Sequence, residues 1–452
     1  MNNQTRKAIL AIGVFCLFFG NIVTAQEPLS LSQAIEMGLK NNFSIQIEQN
    51  KQLQAANNNT WGQAGMFPNI ALGLGGGLSK TSLDNPASFL SSGNIKSNNY
   101  NPTINLNWVL FNGLNVQITK QKLELLQDQS EGNAAVIIEN TVQAIILAYY
   151  NVLLERERTE VFANTLSLSR DRYDYVKLKG ELGSAVTFDI LRDKNAYLTD
   201  SSNYITQILN HRNAVRNLNL LLAQSIDMNY LFSDSLEVQK TAFNLDEMAS
   251  AMKSSNSNLR NQYVNQEILR KDIRIASSAL YPNLNLGVSG SKNWQTQDLS
   301  DAQFSNGTFG ESGIKSTTGN LSANLTLSFT LFNGGKIRNQ IKNAQIQERI
   351  GQLQIKDLEL TLDNSLISSY DQYNLRQNLN AIASENLETA NLNLEMGEER
   401  YRNGSINSFN YRDLQITYLQ TALSYYQSIY NLIESKTELL RLSGGILSEP
   451  PN

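Results

Sequence analysis

The tetrapeptide Leu-Phe-Asn-Gly occurs twice, at Leu110–Gly113 and at Leu331–Gly334, as part of an ordered set of echoes. Phe67-Pro68-Asn69-Ile70 returns as Tyr281-Pro282-Asn283-Leu284, Gly183-Ser184 as Gly404-Ser405, and Tyr197-Leu198 as Tyr418-Leu419. Gly113 and Gly183 lie 70 residues apart, and so do Gly334 and Gly404. The interval from Pro68 to Gly113 is 45 residues, whereas that from Pro282 to Gly334 is 52. A fixed interval implies a rigid element, and a variable one implies a loop. The chain therefore reads as a tandem duplication, with repeats at 26–240 and 241–445 and a short tail at 446–452.

Each repeat reads as a helix, then a strand pair with period-two patterning, then a long helical hairpin. Leu321, Ala323, Leu325, Leu327, Phe329 and Leu331 alternate with Ser322, Asn324, Thr326, Ser328 and Thr330. Ile104, Leu106, Trp108 and Leu110 alternate with Thr103, Asn105 and Asn107, and Ile70–Leu74 and Leu284–Val288 repeat the pattern. This predicts four strands of about 10 residues, paired within 67–112 and 281–333. Strands of that length span membranes, apolar toward lipid and polar toward a lumen. Phe67, Phe111, Tyr281, Phe332, Trp108 and Trp294 are the candidate membrane-interface aromatics, with Tyr100 near Trp294 at the far edge. Leu110 and Leu331 read as the last lipid-facing residues, after which Asn-Gly releases the chain into a helix. The polar stretches Thr81–Asn99 and Lys292–Asn320 are expected as external loops.

Gly113 to about Leu178 and Gly334 to about Met396 contain no proline and space apolar residues by three and four, as in Val142, Ile145, Ile146, Tyr149, Val152 and Leu153. Each predicts a helix of about 65 residues, near 100 Å long, which requires supercoiled partners. Hairpin tips fall near 178–187 and 397–408. The return paths read as helix pairs, Ser184–Ala223 with Asn244–Leu280, and Leu29–Met66 with Ser405–Gly444. Four strands cannot close a barrel, for which about eight are the practical minimum, so several chains must share one.

Arg6 and Lys7 precede the apolar run Ala8–Gly20, and Val23-Thr24-Ala25 follows, which is the pattern of a secretory signal peptide over 1–25. Cys16 lies inside it, so the mature chain is expected without thiol, disulfide or lipid anchor. Loss of Arg6 and Lys7 takes the net charge from −4 to −6, and no basic stripe suggests nucleic acid. His211 is the single histidine, too little for a triad or a histidine-based metal site. No catalytic residue, metal or cofactor is expected. The run Gly73–Lys80 is glycine-rich but lacks the Gly-Lys-[Ser/Thr] ending of a phosphate cradle.

The ordered set, together with Arg-Tyr-Arg-Asn-Gly-Ser at Arg400–Ser405, resembles the TolC family of outer-membrane efflux and secretion channels across essentially all of the mature chain. The resemblance implies an α+β membrane protein: a homotrimer sharing a twelve-stranded outer-membrane barrel, with long helices forming an α-barrel in the periplasm. It implies a passive exit duct of a tripartite efflux pump or type I secretion system, whose partners are a periplasmic adaptor, an inner-membrane pump and outer-membrane lipid. The alternative is a periplasmic coiled-coil scaffold or adhesin without a pore, for which polar strand faces have no use. At the tips, the family pattern maps onto Gly183 and Asp189 in the first repeat, and Tyr401, Gly404 and Asp413 in the second. Asn410 stands where the family has another carboxylate and Ile406 where it has an arginine; Arg402 or Arg412 is the candidate substitute. The resemblance implies a clasp between Asp189 and Tyr401 and a gate at Asp413. A cap at Thr187 would place Asp189 in the first turn of the returning helix.

Overall fold

The computed structural model describes residues 28–85 and 87–447; the expected signal peptide at 1–25 lies outside them. In chain order the elements are β1 (Pro28–Leu29), α1 (Leu31–Asn41), α2 (Phe43–Asn58), β2 (Asn69–Asp84), β3 (Leu90–Asn112), α3 (Asn115–Glu181) and α4 (Thr187–Leu221). Then follow β4 (Leu231–Phe232), α5 (Leu245–Ser255), α6 (Ser257–Ser278), β5 (Asn283–Phe304), β6 (Ile314–Ser328), α7 (Lys336–Arg402) and α8 (Ser408–Leu442). Helix lengths repeat: α3 and α7 have 67 residues each, α4 and α8 have 35, and α1 and α5 have 11.

Two of the expected return helices are broken in the same way. The segment Leu29–Met66 divides at Asn42, whose side chain accepts from the amides of Ser44 and Ile45. The segment Asn244–Leu280 divides at Asn256, which caps α6 by accepting from the Leu259 amide. Asparagine side chains compete with helical carbonyls for nearby donors, so each starts a new helix rather than continuing the old one.

The residues form two compact units. One holds Gln46–Ile137 and Ala249–Ser365, and with them an antiparallel sheet in the order β2-β3-β5-β6. Its register assembles the alternating residues into faces. Ile70 lies opposite Leu106, Leu106 opposite Val288, and Val288 opposite Ala323; the next row inward joins Leu72, Ile104, Gly290 and Leu321. The other face aligns Ala71, Asn105, Ser289 and Ser322. The apolar face is uncovered, with Leu72 73% and Leu321 84% exposed, an extent of apolar surface that water-soluble monomers avoid. The Gly73–Gly77 run lies mid-strand, where Gly73 and Gly77 make room for Thr103 and Asn99 across the ladder.

The strands are longer than expected, 16, 23, 22 and 15 residues. The stretches expected as external loops are mostly strand, and the connections shrink to 85–89 and 305–313. Polar residues past Tyr100 and Trp294 still pair in register, as Asn98 does with Thr296 and Lys96 with Asp298. Alternation marks where a sheet is half-apolar, not where it ends. A bulge at Val109–Phe111 sets Phe111 opposite Leu284, on the apolar face, where unbroken alternation would have put it on the polar one. Leu110 is thus not the last apolar-face residue of β3. Strand β6 ends at Ser328, so Phe329 and Leu331 lie beyond it.

The second unit holds Ile138–Met248 with the chain up to Ile45 and from Leu366 onward. Its core gathers Val142, Ile145, Ile146, Tyr149, Val152 and Leu153 of α3 with Leu29, Leu31, Leu218, Leu222 and Ile433. This stretch of α3 is apolar enough to cross a membrane by composition, but it is packed against other helices. The Tyr149 hydroxyl lies 2.8 Å from the Leu29 carbonyl and 2.9 Å from Asp234, so its one proton is shared between two acceptors, while the Leu31 amide donates to the same carboxylate. Those bonds tie β1 alongside β4. In α4 the buried Asp193, Asp200, Gln207 and Ala214 recur every seventh residue, and in α8 so do Ser408, Gln415, Ala422, Ile429 and Lys436. A strict seven-residue repeat under-winds the helices into a left-handed supercoil, and its polar members fix the register.

Candidate functional site

Both hairpin tips lie in the second unit and close in the same way. Gly183 (φ 74) and Gly404 (φ 73) take the left-handed conformation that ends a helix without a Cβ penalty. Ser184 N then donates to Lys179 O (2.7 Å), and Ser405 N to Arg400 O (2.8 Å). The helices that follow start differently. Asn407 caps α8 by accepting from the Asn410 amide at 2.9 Å, whereas α4 has Val186 at its cap and no side-chain bond there. Thr187 is therefore not the cap but the first helical residue, because the turn after Gly183 places it one position too late. Asp189 still falls in the first turn.

Asp189 and Tyr401 are not joined by a hydrogen bond among the described residues. Asp189 pairs with Arg192 on its own helix at 3.1 Å, and Arg402 pairs with Glu398 on α7. Tyr401 stacks on Tyr411, with ring centroids 4.9 Å apart, and meets Tyr175 edge-on. Burial pushes the Tyr401 hydroxyl pKa up to about 12. Asp413 and Asn410 are exposed, one turn apart on α8.

The polar contact between the hairpins lies deeper. Arg172 of α3 has a fully buried side chain (0% exposed) and faces Asp193 of α4 at 3.4 Å. Asp193 accepts from Ser408 Oγ of α8 at 2.6 Å, and Arg172 Nη1 donates to Gln415 Oε1 at 2.7 Å. Seven residues along α4, Asp200 receives both terminal nitrogens of Arg412 at 2.7 Å each, a two-pronged charge-assisted pair. Desolvation lowers the Arg172 pKa, Asp193 works against it, and nearby Arg412 adds to it. Two arginines and two aspartates thus hold α3, α4 and α8 together out of water. Of this set, only Arg412 is among the candidates that the sequence motifs single out. The missed signal was the seven-residue spacing from Asp193 to Asp200, which places two acids on one helix face.

In the sheet unit, the candidate aromatics lie toward the two ends of the strands. Tyr100 lies directly opposite Trp294, and Trp108 Nε1 donates to the Met66 carbonyl at 2.8 Å beside Phe67. Phe67, Tyr281 and Phe332 are all exposed, Phe332 at 87%.

A sheet with one apolar face, flanked by exposed aromatics, and paired helical hairpins with glycine tips define a class, that of outer-membrane channel proteins. The chain belongs to the outer membrane efflux protein family, whose profile matches residues 34–224 and 248–445. It is 24% identical over 294 residues to the outer membrane protein TolC of Escherichia coli (strain K12), an alignment that spans 58% of this chain and 56% of the relative. The chain thus spans about half the length of that curated relative. Its fold is similar to that of the CmeC outer membrane channel of Campylobacter jejuni (TM-score 0.74, 16% identity, 92% of this chain and 85% of that one). It is also similar to that of the Neisseria gonorrhoeae MtrE outer membrane channel in its open state (TM-score 0.71, 14% identity, 92% and 89%). The protein is an α+β protein of the outer membrane that extends into the periplasm.

Proposed function

We propose that the chain is the outer-membrane duct of a tripartite efflux pump or a type I secretion system, and that it works as a homotrimer. The observation that carries this reading is the sheet, with an uncovered apolar face and two edge strands, β2 and β6, each paired on one side only. In lipid an open edge leaves backbone groups without partners, at several kcal/mol each. Three copies joined edge to edge supply twelve strands, and their polar faces then line an aqueous lumen. The duct performs no chemistry; energy enters at an inner-membrane pump reached through a periplasmic adaptor. Asp413, with Asn410 beside it, serves as the entrance ring, and Phe67, Phe111, Tyr281, Phe332 and Trp294 seat the barrel in the bilayer.

The purified protein in planar bilayers is expected to give defined conductance steps. A folded oligomer that never conducts would overturn the duct in favour of a scaffold. Asp413→Ala is expected to weaken block by divalent cations, and an unchanged block would remove Asp413 from the gate.

A further inference from the structure

The ends of the sheet are electrostatically unlike. At the end carrying Phe67, Phe111, Tyr281 and Phe332, the ten residues adjoining each strand contain Lys120, Lys122, Arg274, Lys336 and Arg338 and no acidic residue. Lys342 follows one turn after Arg338. At the other end, residues 80–96 and 292–315 contain four lysines and four acids, namely Lys80, Asp84, Lys96, Lys292, Asp298, Asp301, Glu311 and Lys315. This basic excess stands in a chain whose net charge is −4.

Lys120 and Lys122 are engaged, the first with Glu124 and Asn59, the second with Asp272. Among the described residues, no ion pair engages Arg274, Lys336, Arg338 or Lys342, and all four side chains are exposed. A second observation points the same way. Lys336 and Arg338 sit in the first turn of α7, where the helix dipole is positive and acidic residues are favoured; neither α3 nor α7 has an acid there. Cations placed against the dipole repel the helix end unless an anion joins them, and exposed amides at that end add to the pull on an anion.

Phe332 and Leu331, both 87% exposed, immediately precede these cations. An aromatic and aliphatic anchor next to a basic cluster matches a bilayer boundary, where apolar side chains enter the acyl region and long cationic ones reach the headgroups. Lys336 and Arg338 follow Phe332 by only four and six residues in the chain. We infer that Arg274, Lys336, Arg338 and Lys342 form a collar that binds anionic phospholipid headgroups of the periplasmic leaflet. The collar is continuous with the membrane face of the sheet and complementary in charge to phosphatidylglycerol-like lipid. It depends on the outer-membrane location of the chain and not on what passes through it.

The test uses the full mature protein in neutral detergent, with its thermal shift measured on addition of short-chain phosphatidylglycerol or of the matching phosphatidylcholine. Phosphatidylglycerol is expected to stabilise the protein more than phosphatidylcholine, and 0.5 M salt to erase the difference. A variant with all four residues changed to Gln is expected to lower phosphatidylglycerol affinity by roughly tenfold or more. A control with Lys80, Lys292 and Lys315 changed to Gln is expected to keep it. Equal shifts with both lipids, an unchanged four-residue variant, or an equal shift with inorganic phosphate or with lipid A would each overturn the inference. Should that variant not fold, Lys336→Gln with Arg338→Gln alone is read by the same assay, and an undiminished lipid preference there would also overturn it. Conductance in bilayers is recorded in parallel, so loss of lipid preference with conductance intact is distinguishable from failure of the duct itself.

Discussion

Arg172 is a charge folded into a place where a charge is costly. Its partners are drawn from two other helices, so the network stands or falls with the packing of α3 against α4 and α8. Removing one member leaves an uncompensated buried ion. Asp193→Asn is therefore expected to lower stability by about 3–5 kcal/mol, as read by denaturant unfolding, whereas Arg172→Met with Asp193→Leu is expected to be close to neutral. If the single and double variants lose equal stability, the pair is not desolvated as described. Tyr401, Tyr149, Tyr150 and Tyr426 add a pH signature, since burial raises the pKa of each hydroxyl above 10. The unfolded chain loses those protons near pH 10 while the folded chain keeps them, so it binds fewer protons than the folded state. Stability is then expected to be intact below pH 10 and to fall between about pH 10 and pH 12. Tyr401→Phe is expected to flatten that fall in a thermal melt recorded against pH. At this scale little was legible in the sequence. The tip glycines are visible as repeats and Tyr401 through the family resemblance, but Arg172 and Asp193 lie 21 residues apart on different helices, and only packing reveals that they meet.

The two Asn-Gly junctions do the same job in unequal surroundings. Gly113 and Gly334 both take positive φ, at 65° and 68°, and both launch a 67-residue helix. A Cβ on Gly113 would lie 2.5 Å from the Ser278 carbonyl and 2.8 Å from the Tyr281 Cβ, while one on Gly334 would meet nothing within 4 Å. Gly334→Ala is expected to cost only the left-handed strain, about 1 kcal/mol, and Gly113→Ala clearly more, because rigid backbone must shift. Thermal melts of the two variants check this, and equal losses would contradict the close packing at Gly113. Elements of this kind leave a legible trace because duplication prints each signal twice, and the 67-residue and 35-residue helices recur in both halves. Strand ends leave none. Once Asn98, Thr296 and Lys315 replace apolar residues on the face that Leu106 and Val288 occupy, a sheet that continues beyond lipid has the composition of a loop.

For the whole molecule the governing quantity is the match between the sheet and a bilayer. Trp294 lies 13 residues after Tyr281. At about 3.3 Å per residue and a tilt near 40°, that span covers roughly 33 Å of depth, close to the ~30 Å hydrocarbon core. Val288 falls midway, and its row holds Ile70, Leu106 and Ala323. Leu106→Arg would put a cation at the bilayer centre, at about 2–4 kcal/mol for each copy in an assembly. Asn105→Arg, one residue earlier, would instead face the lumen among Ala71 and Ser289, where water solvates it and side-chain room is available. Leu106→Arg is therefore expected to deplete heat-stable oligomer in membranes. Asn105→Arg is expected to leave the oligomer at its normal level and to shift single-channel selectivity toward anions. Native-gel assembly and reversal potentials measure the two effects. If they came out interchanged, the faces would be reversed, and the barrel built from them would have its lipid side within.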